Sequence, residues 1–242
     1  LYHGCIPMND DGSFKTMDLN HAQYAAKNLM EKMQRLARQG FFSASGSRKK
    51  QNGLDAMWYL WCGPCSPLFG KEKMATFEQY FIEDQSTHQE QRNIYYTLRD
   101  DEMTARRILE TFDLNPDEGH IINGHVPVIV KKNERPLKAG GKLIVIDGGF
   151  ARAYQKKTGI AGYTLVSNSW GLLLATHQRN EHTPSVDKGI HDIGCTTEII
   201  EKQHQRIRIK HTDVGRNIQR RIDELTALHD AYLEGAIVQE GA

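Results

Sequence analysis

The sequence predicts an α/β fold, and three observations predict it. Two apolar, β-branched runs, Ile121-Ile122-Asn123 with Val126-Pro127-Val128 just beyond, and Leu143-Ile144-Val145-Ile146, are each bounded by glycines and polar residues, as neighbouring buried strands are. Ahead of them, apolar residues recur at helical spacing from Ala22 to Leu36 and again from Met74 to Phe81. Behind them, Tyr163-Thr164-Leu165-Val166 and Gly171-Leu172-Leu173-Leu174-Ala175, joined through Ser167-Asn168-Ser169-Trp170, have the form of a hairpin. The 242 residues suffice for one large domain or two small ones.

Taken in order, Leu1-Tyr2-His3-Gly4 reads as the end of a strand, with Pro7 four positions past His3. His125 repeats that arrangement at the end of the first central strand, between Gly124 and Pro127, which let the backbone turn and aim the imidazole off the strand. A neutral imidazole there is a good ligand for a divalent metal, and equally a group that hydrogen-bonds within its own turn. The two histidines converge only if their strands share a sheet, because α/β folds gather loops at the carboxyl ends of their strands.

Asp18 or Asn20 is placed to cap a helix running to about Gln39, with Ala22, Ala25, Ala26, Leu29, Met33 and Leu36 as its core face. Residues 41–53, rich in Ser, Gly and Lys, read as an exposed loop with Arg48-Lys49-Lys50 as a solvated tip. The Trp and Tyr cluster at Trp58-Tyr59-Leu60-Trp61 reads as core, ending in a loop whose Lys71 can meet an anion.

Within that stretch, Trp61-Cys62-Gly63-Pro64-Cys65 matches the string found at thioredoxin active sites, where a helix N-terminus lowers the first thiol's pKa. That chemistry needs a helix running on through the second cysteine, and Ser66-Pro67 with Gly70 argues against one. A thiol-disulfide oxidoreductase using Cys62 and Cys65 is therefore the minor alternative.

A helix follows over residues 72–82, then a polar loop carrying Arg92, then a helix capped by Asp100 or Asp101. Residues 178–195 read as loose and polar, and a charged strand is expected near Gln205 to Ile209. A terminal helix starts at about Asp213, with Ile218, Ile222, Leu225, Leu228 and Tyr232 along one face. Residues 196–242 are thus expected to be a terminal strand and helix.

The 31 basic and 30 acidic residues balance, which points to neither nucleic acid nor an anionic membrane as partner. No run approaches the roughly 20 apolar residues of a spanning helix, and four scattered cysteines do not make a secreted disulfide framework. The composition therefore points to a cytoplasmic protein with reduced thiols. Eleven histidines mildly favour metal chemistry. The chain opens on Leu1-Tyr2-His3 without an initiator Met, so it is expected to be the C-terminal part of something longer.

With both histidine loops in place, the order of motifs resembles the C-terminal half of the calcineurin-like metallophosphatases: His3-Gly4, Gly124-His125-Val126-Pro127, Ile146-Asp147-Gly148-Gly149 and Gly159-Ile160-Ala161-Gly162. Longer strings, from Leu1-Tyr2-His3-Gly4-Cys5-Ile6-Pro7 through Ser66-Pro67-Leu68-Phe69-Gly70-Lys71 to Lys142-Leu143-Ile144-Val145-Ile146-Asp147-Gly148-Gly149-Phe150, are similar to class 3 fructose-1,6-bisphosphatases. The resemblance implies a metallophosphoesterase sandwich of mixed β-sheets flanked by helices, of which this chain is the C-terminal half. It also implies hydrolysis of fructose 1,6-bisphosphate to fructose 6-phosphate and phosphate at a dinuclear Mn²⁺ site, as in gluconeogenesis.

Carried over residue by residue, His3 and His125 match, both as metal ligands. The family's Asp-x-His, Gly-Asp-x-x-Asp-Arg and Gly-Asn-His-Asp motifs do not occur in the chain, so the remaining ligands are expected N-terminal to it. Two histidines leave zinc and iron open beside manganese. Lys71, Arg92 and Lys142 are candidates for the substrate's second phosphate. A catalytically silent module that supports fold or binding is the main alternative to an enzyme, and a homo-oligomer is compatible with either.

Overall fold

A computed structural model describes residues 1–19, 21–179 and 193–237. The elements in chain order are β1 (Met17–Leu19), β2 (Ala22–Tyr24), α1 (Ala26–Phe42), α2 (Arg48–Cys62), α3 (Thr76–Phe81), α4 (Tyr95–Leu98), α5 (Glu102–Thr111), β3 (Ile121–Asn123), β4 (Leu137–Lys138), β5 (Leu143–Val145), α6 (Arg152–Thr158), β6 (Ala161–Asn168), β7 (Gly171–Arg179), β8 (Ile193–Lys202) and α7 (Asp213–Leu233). The protein is α/β with mixed sheets. It divides into two compact units, the first carrying Leu1–Tyr163 and the second Thr164–Thr176 with the residues from Cys195 on.

The first unit is built on the two runs that the sequence marks as strands. β3 and β5 pair in parallel, Ile121 to Leu143 and Asn123 to Val145, and β4 lies antiparallel on the other side of β5. All three residues of β5 are buried, as expected of a strand covered on both faces. Leu143 and Val145 pack with Cys5, Ile6, Met8, Tyr95, Ile108 and Leu109 in one core. Asp101 starts α5 as expected, its carboxylate accepting from the Thr104 amide at 2.8 Å.

Elsewhere the chain departs from its sequence reading. Asp18 caps no helix: it pairs with Gln23 in the β1–β2 hairpin, and α1 begins only at Ala26, with Leu29 and Met33 on its buried face. Asn20, the other capping candidate, lies outside the described residues. The expected loop over 41–53 is largely helix. Ser47 caps α2, accepting from the Lys50 amide, and Gly53 is where α1 and α2 cross. A Cβ there would stand 2.1 Å from the Gly40 amide nitrogen, so Gly40 and Gly53 make a close helix contact.

Nor is the Trp and Tyr cluster core. Trp58 is 71% and Trp61 64% exposed, because α2 turns its tight face toward α1 and carries these rings on the other. The helix expected over 72–82 is confined to α3, whose Phe77, Tyr80 and Phe81 are exposed.

In the second unit the strand falls at β8, not near Gln205 to Ile209, where a single 3-10 turn begins at Ile209. The β-branched run Thr196-Thr197-Glu198-Ile199-Ile200 takes the place beside β7 in the β6-β7-β8 sheet. Most of the polar stretch expected over 178–195 falls on residues 180–192, outside the described residues. The Thr212 hydroxyl accepts from the Gly215 amide and starts α7 close to its expected position.

Candidate active site

Tyr2 extends the parallel arrangement: it bridges Asn123 in parallel, and its amide donates to the Ile122 carbonyl at 3.1 Å. Tyr2, β3 and β5 therefore run side by side in one direction. Their carboxyl ends deliver His3, His125 and Asp147 to the same edge.

Asn123 locks this edge. It is fully buried, and its Nδ2 donates to the carbonyls of Tyr2, His3 and Gly4 at 3.2, 3.1 and 2.9 Å. Its Oδ1 accepts from the buried Arg99 guanidinium at 2.5 Å and from the Tyr95 hydroxyl at 3.2 Å. One amide thus holds the loop that carries His3 onto the strand that carries His125.

The turn after β3 is sharper than the flanking Gly124 and Pro127 suggest, because His125 itself takes φ +68°. A Cβ on Gly124 would stand 3.1 Å from His3 Nδ1, so the missing side chain is what admits the second imidazole. The rings meet edge to face with centroids 5.1 Å apart, and His3 Nε2 stands 3.3 Å from His125 Nδ1.

Burial first, then the charges of His3 and Lys71, holds the His125 imidazole below its ordinary pKa, opposed by the Asp147 carboxylate. That favours the neutral ring, the form that ligates metals. Two imidazole nitrogens bound about 2.1 Å from a shared ion would stand roughly 3.0–3.4 Å apart at right or tetrahedral angles, so the observed separation fits such a pair. It equally lets one ring donate its N–H to the other.

Two cavities adjoin the pair. One of about 570 Å³ is lined by Leu1, Tyr2, His3, Gly124, Ile146 and Asp147. The other, about 270 Å³, runs between the two rings and Trp61, Leu68, Phe69, Lys71 and Met74. Lys71 pairs with Glu90, whose other oxygen accepts from the Ala75 amide at 2.9 Å, and its backbone bridges that of the exposed Arg92. Lys71 and Arg92 therefore share one strip, with Lys71 on the wall beside the histidines.

Lys142 does not join them. It precedes β5, and since β3 and β5 are parallel it stands at the edge opposite His125, donating to the Asp117 carbonyl. Among the described residues no group of three or more His, Cys, Asp or Glu is placed to hold a metal ion. The donor chemistry fits two ligands of a metal site, not a whole one.

Asp147 and Trp61 are site-lining residues to which the sequence reading gave no role. Parallel pairing of the two central runs is the signal that places Asp147, since it fixes both carboxyl ends on one edge. Cys62 is the last residue of α2, and Cys65 has φ +61°, so the Cys-Gly-Pro-Cys string sits at a helix carboxyl end. That is the reverse of the thioredoxin arrangement, in which the first cysteine stands at a helix amino end.

The protein is α/β and brings an imidazole pair to the carboxyl ends of parallel strands. A family model described as Firmicute fructose-1,6-bisphosphatase matches residues 1–234, and the chain belongs to that family. It is 51% identical over 243 aligned residues to a protein of Clostridium botulinum (strain Kyoto / Type A2) named fructose-1,6-bisphosphatase class 3, the match covering 99% of this chain and 36% of the relative. A protein of the same name from Clostridium novyi (strain NT) is 50% identical over the same extent. The chain thus spans about a third of the length of the curated relatives it matches. No solved structure matches it. Among the described residues no helix is long and apolar enough to cross a membrane.

Proposed function

We propose that this chain is the C-terminal part of a calcineurin-like phosphomonoesterase that hydrolyses fructose 1,6-bisphosphate to fructose 6-phosphate and phosphate in the cytoplasm. The observation that carries the proposal is the 3.3 Å approach of His3 Nε2 and His125 Nδ1, made from positions 122 residues apart. His3 and His125 would hold one Mn²⁺ of a dinuclear site whose other ligands come from outside this chain. When bound, the metal supplies charge neutralisation for phosphoryl oxygens and lowers the pKa of water.

The chain's own residues do the rest. Gly124 admits the second ring, burial keeps His125 neutral, and Asn123 fixes both loops. Lys71, steered by Glu90, presents an ammonium beside the imidazoles for a phosphate, with Arg92 on the same strip. Trp61, Leu68 and Phe69 line an apolar wall that limits water.

The second reading, a catalytically silent module, is favoured by the two-ligand donor set among the described residues. Phosphate release from fructose 1,6-bisphosphate with Mn²⁺ separates the two, measured on this chain and on one extended to its relatives' length. The extended chain is expected to be active, and His3→Ala or His125→Ala to lower its rate at least about 100-fold while weakening Mn²⁺ binding. Wild-type rates in both variants would exclude the pair from the chemistry.

A further inference from the structure

One buried hydroxyl behind the cavity wall shapes the wall itself. Helix α2 ends at Cys62, and the Leu60 carbonyl in its last turn has no helical partner, because the residue four places on is Pro64, which has no N–H. Ser66 supplies the partner. Its hydroxyl donates to the Leu60 carbonyl at 2.7 Å and accepts from the amides of Leu68 and Phe69 at 3.2 and 3.1 Å. The Ser66 carbonyl accepts from the Gly70 amide at 3.1 Å. Ser66 is 1% exposed, so no bulk water stands ready to replace these bonds, and they set the course of the chain from Ser66 to Gly70.

That turn leans on the site. Its Pro67 carbonyl accepts from the Cys5 amide at 2.7 Å, and a Cβ on Gly4 would stand 2.0 Å from the same oxygen, so the loop that carries His3 lies directly against it. Leu68, Phe69 and Lys71 line the cavity beside His3 and His125, and Trp61, the residue after Leu60, lines it from α2. Asn123 holds the histidine loops together, and Ser66 holds the wall against them.

We propose that Ser66 is a positioning residue, acting by holding Lys71 at its place beside the imidazole pair. This rests on the phosphatase reading above, in which Lys71 meets a phosphate of the substrate. The chain extended to its relatives' length tests it, with fructose 1,6-bisphosphate and Mn²⁺. Ser66→Ala is expected to raise KM about 10-fold and to leave Mn²⁺ affinity within about threefold of the parent, since Asn123 still holds both histidine loops. In a Lys71→Ala background the same substitution should move KM by less than about twofold, because the group it acts through is gone. A serine with a merely structural role would lower the melting temperature without moving KM, or move KM equally in both backgrounds. Hydrogen exchange requires no turnover: in Ser66→Ala the Cys5 amide, bonded to Pro67, should exchange about 10-fold faster, with the Ile121 amide, bonded to Lys142, unchanged. An unchanged KM, equal effects in both backgrounds, or an unchanged Cys5 amide would each overturn the proposal. Failure of the phosphatase reading would show separately, as wild-type rates in His3→Ala and His125→Ala.

Discussion

The two units of the chain dispose of their apolar residues in opposite ways. In the first, Tyr95, Ile108, Leu109, Leu143 and Val145 are at most 1% exposed and close on one another around the β3–β5 pair. In the second, Leu174 is fully buried, while Val166, Ile199 and the apolar residues of α7 from Ile218 to Tyr232 remain exposed. Both units carry apolar periodicity. Periodicity dictates which face must be covered but not what covers it: the first unit supplies the cover from its own chain, and the second presents the face outward.

The strongest way to break this contrast is at Asn123. Replacing it with Leu removes the three donations to Tyr2, His3 and Gly4 and takes away the acceptor of the Arg99 guanidinium, which is 4% exposed. Arg99 would keep Asp100 at 3.7 Å and the ring faces of Tyr95 and Tyr96, but no hydrogen-bond acceptor at Asn123. An uncompensated buried charge costs about 3–5 kcal/mol. Urea unfolding should show a loss of that order, with Mn²⁺ affinity falling as His3 comes loose. A loss under about 1 kcal/mol would mean that the first unit is not held together at this edge.

A paired substitution sharpens the comparison at smaller cost. Leu143→Ala empties part of a closed core and should destabilise the chain by about 2–5 kcal/mol. Leu225→Ala removes the same side chain from a face 63% exposed, and should change stability by less than about 0.5 kcal/mol when unfolding is followed at concentrations too low for association. Equal losses would show that α7 is already covered within the monomer.

The same contrast explains what could be read in the sequence. The central strands, the Asp101 cap and the convergence of His3 with His125 follow from local rules: β-branched runs bounded by glycine, a side-chain acceptor before a helix, and the gathering of loops at strand carboxyl ends. Residues 41–53 misled because Gly53, which admits a neighbouring helix, looks in sequence like part of a Ser-, Gly- and Lys-rich loop. Trp58 and Trp61 misled because large aromatic rings usually turn inward. For Lys142 the parallel register, which sequence does not fix, sets its position at the edge opposite His125. Asn123 could not be read at all, since its five partners come from Tyr2, His3, Gly4, Tyr95 and Arg99.

The smallest effect lies at the margin of the first unit, where the site wall meets water. The Lys71 ammonium first, then the Ala75 amide, holds the Glu90 carboxyl below its usual carboxylate range. The folded pKa thus lies below the unfolded one. The stabilisation is fully present above the unfolded value of about 4.5 and disappears as pH falls through the lowered folded value. Glu90→Gln should therefore be less stable than the parent at pH 7 by under about 1 kcal/mol, because the pair is partly solvated. The gap should close as the medium is acidified below pH 4.5, where a protonated Glu90 and a Gln offer Lys71 the same neutral acceptor. Urea midpoints taken stepwise from pH 7 to pH 3 read this directly. A gap that stays constant would mean that Glu90 acts through packing against Ala75, leaving Lys71 steered by something other than its carboxylate.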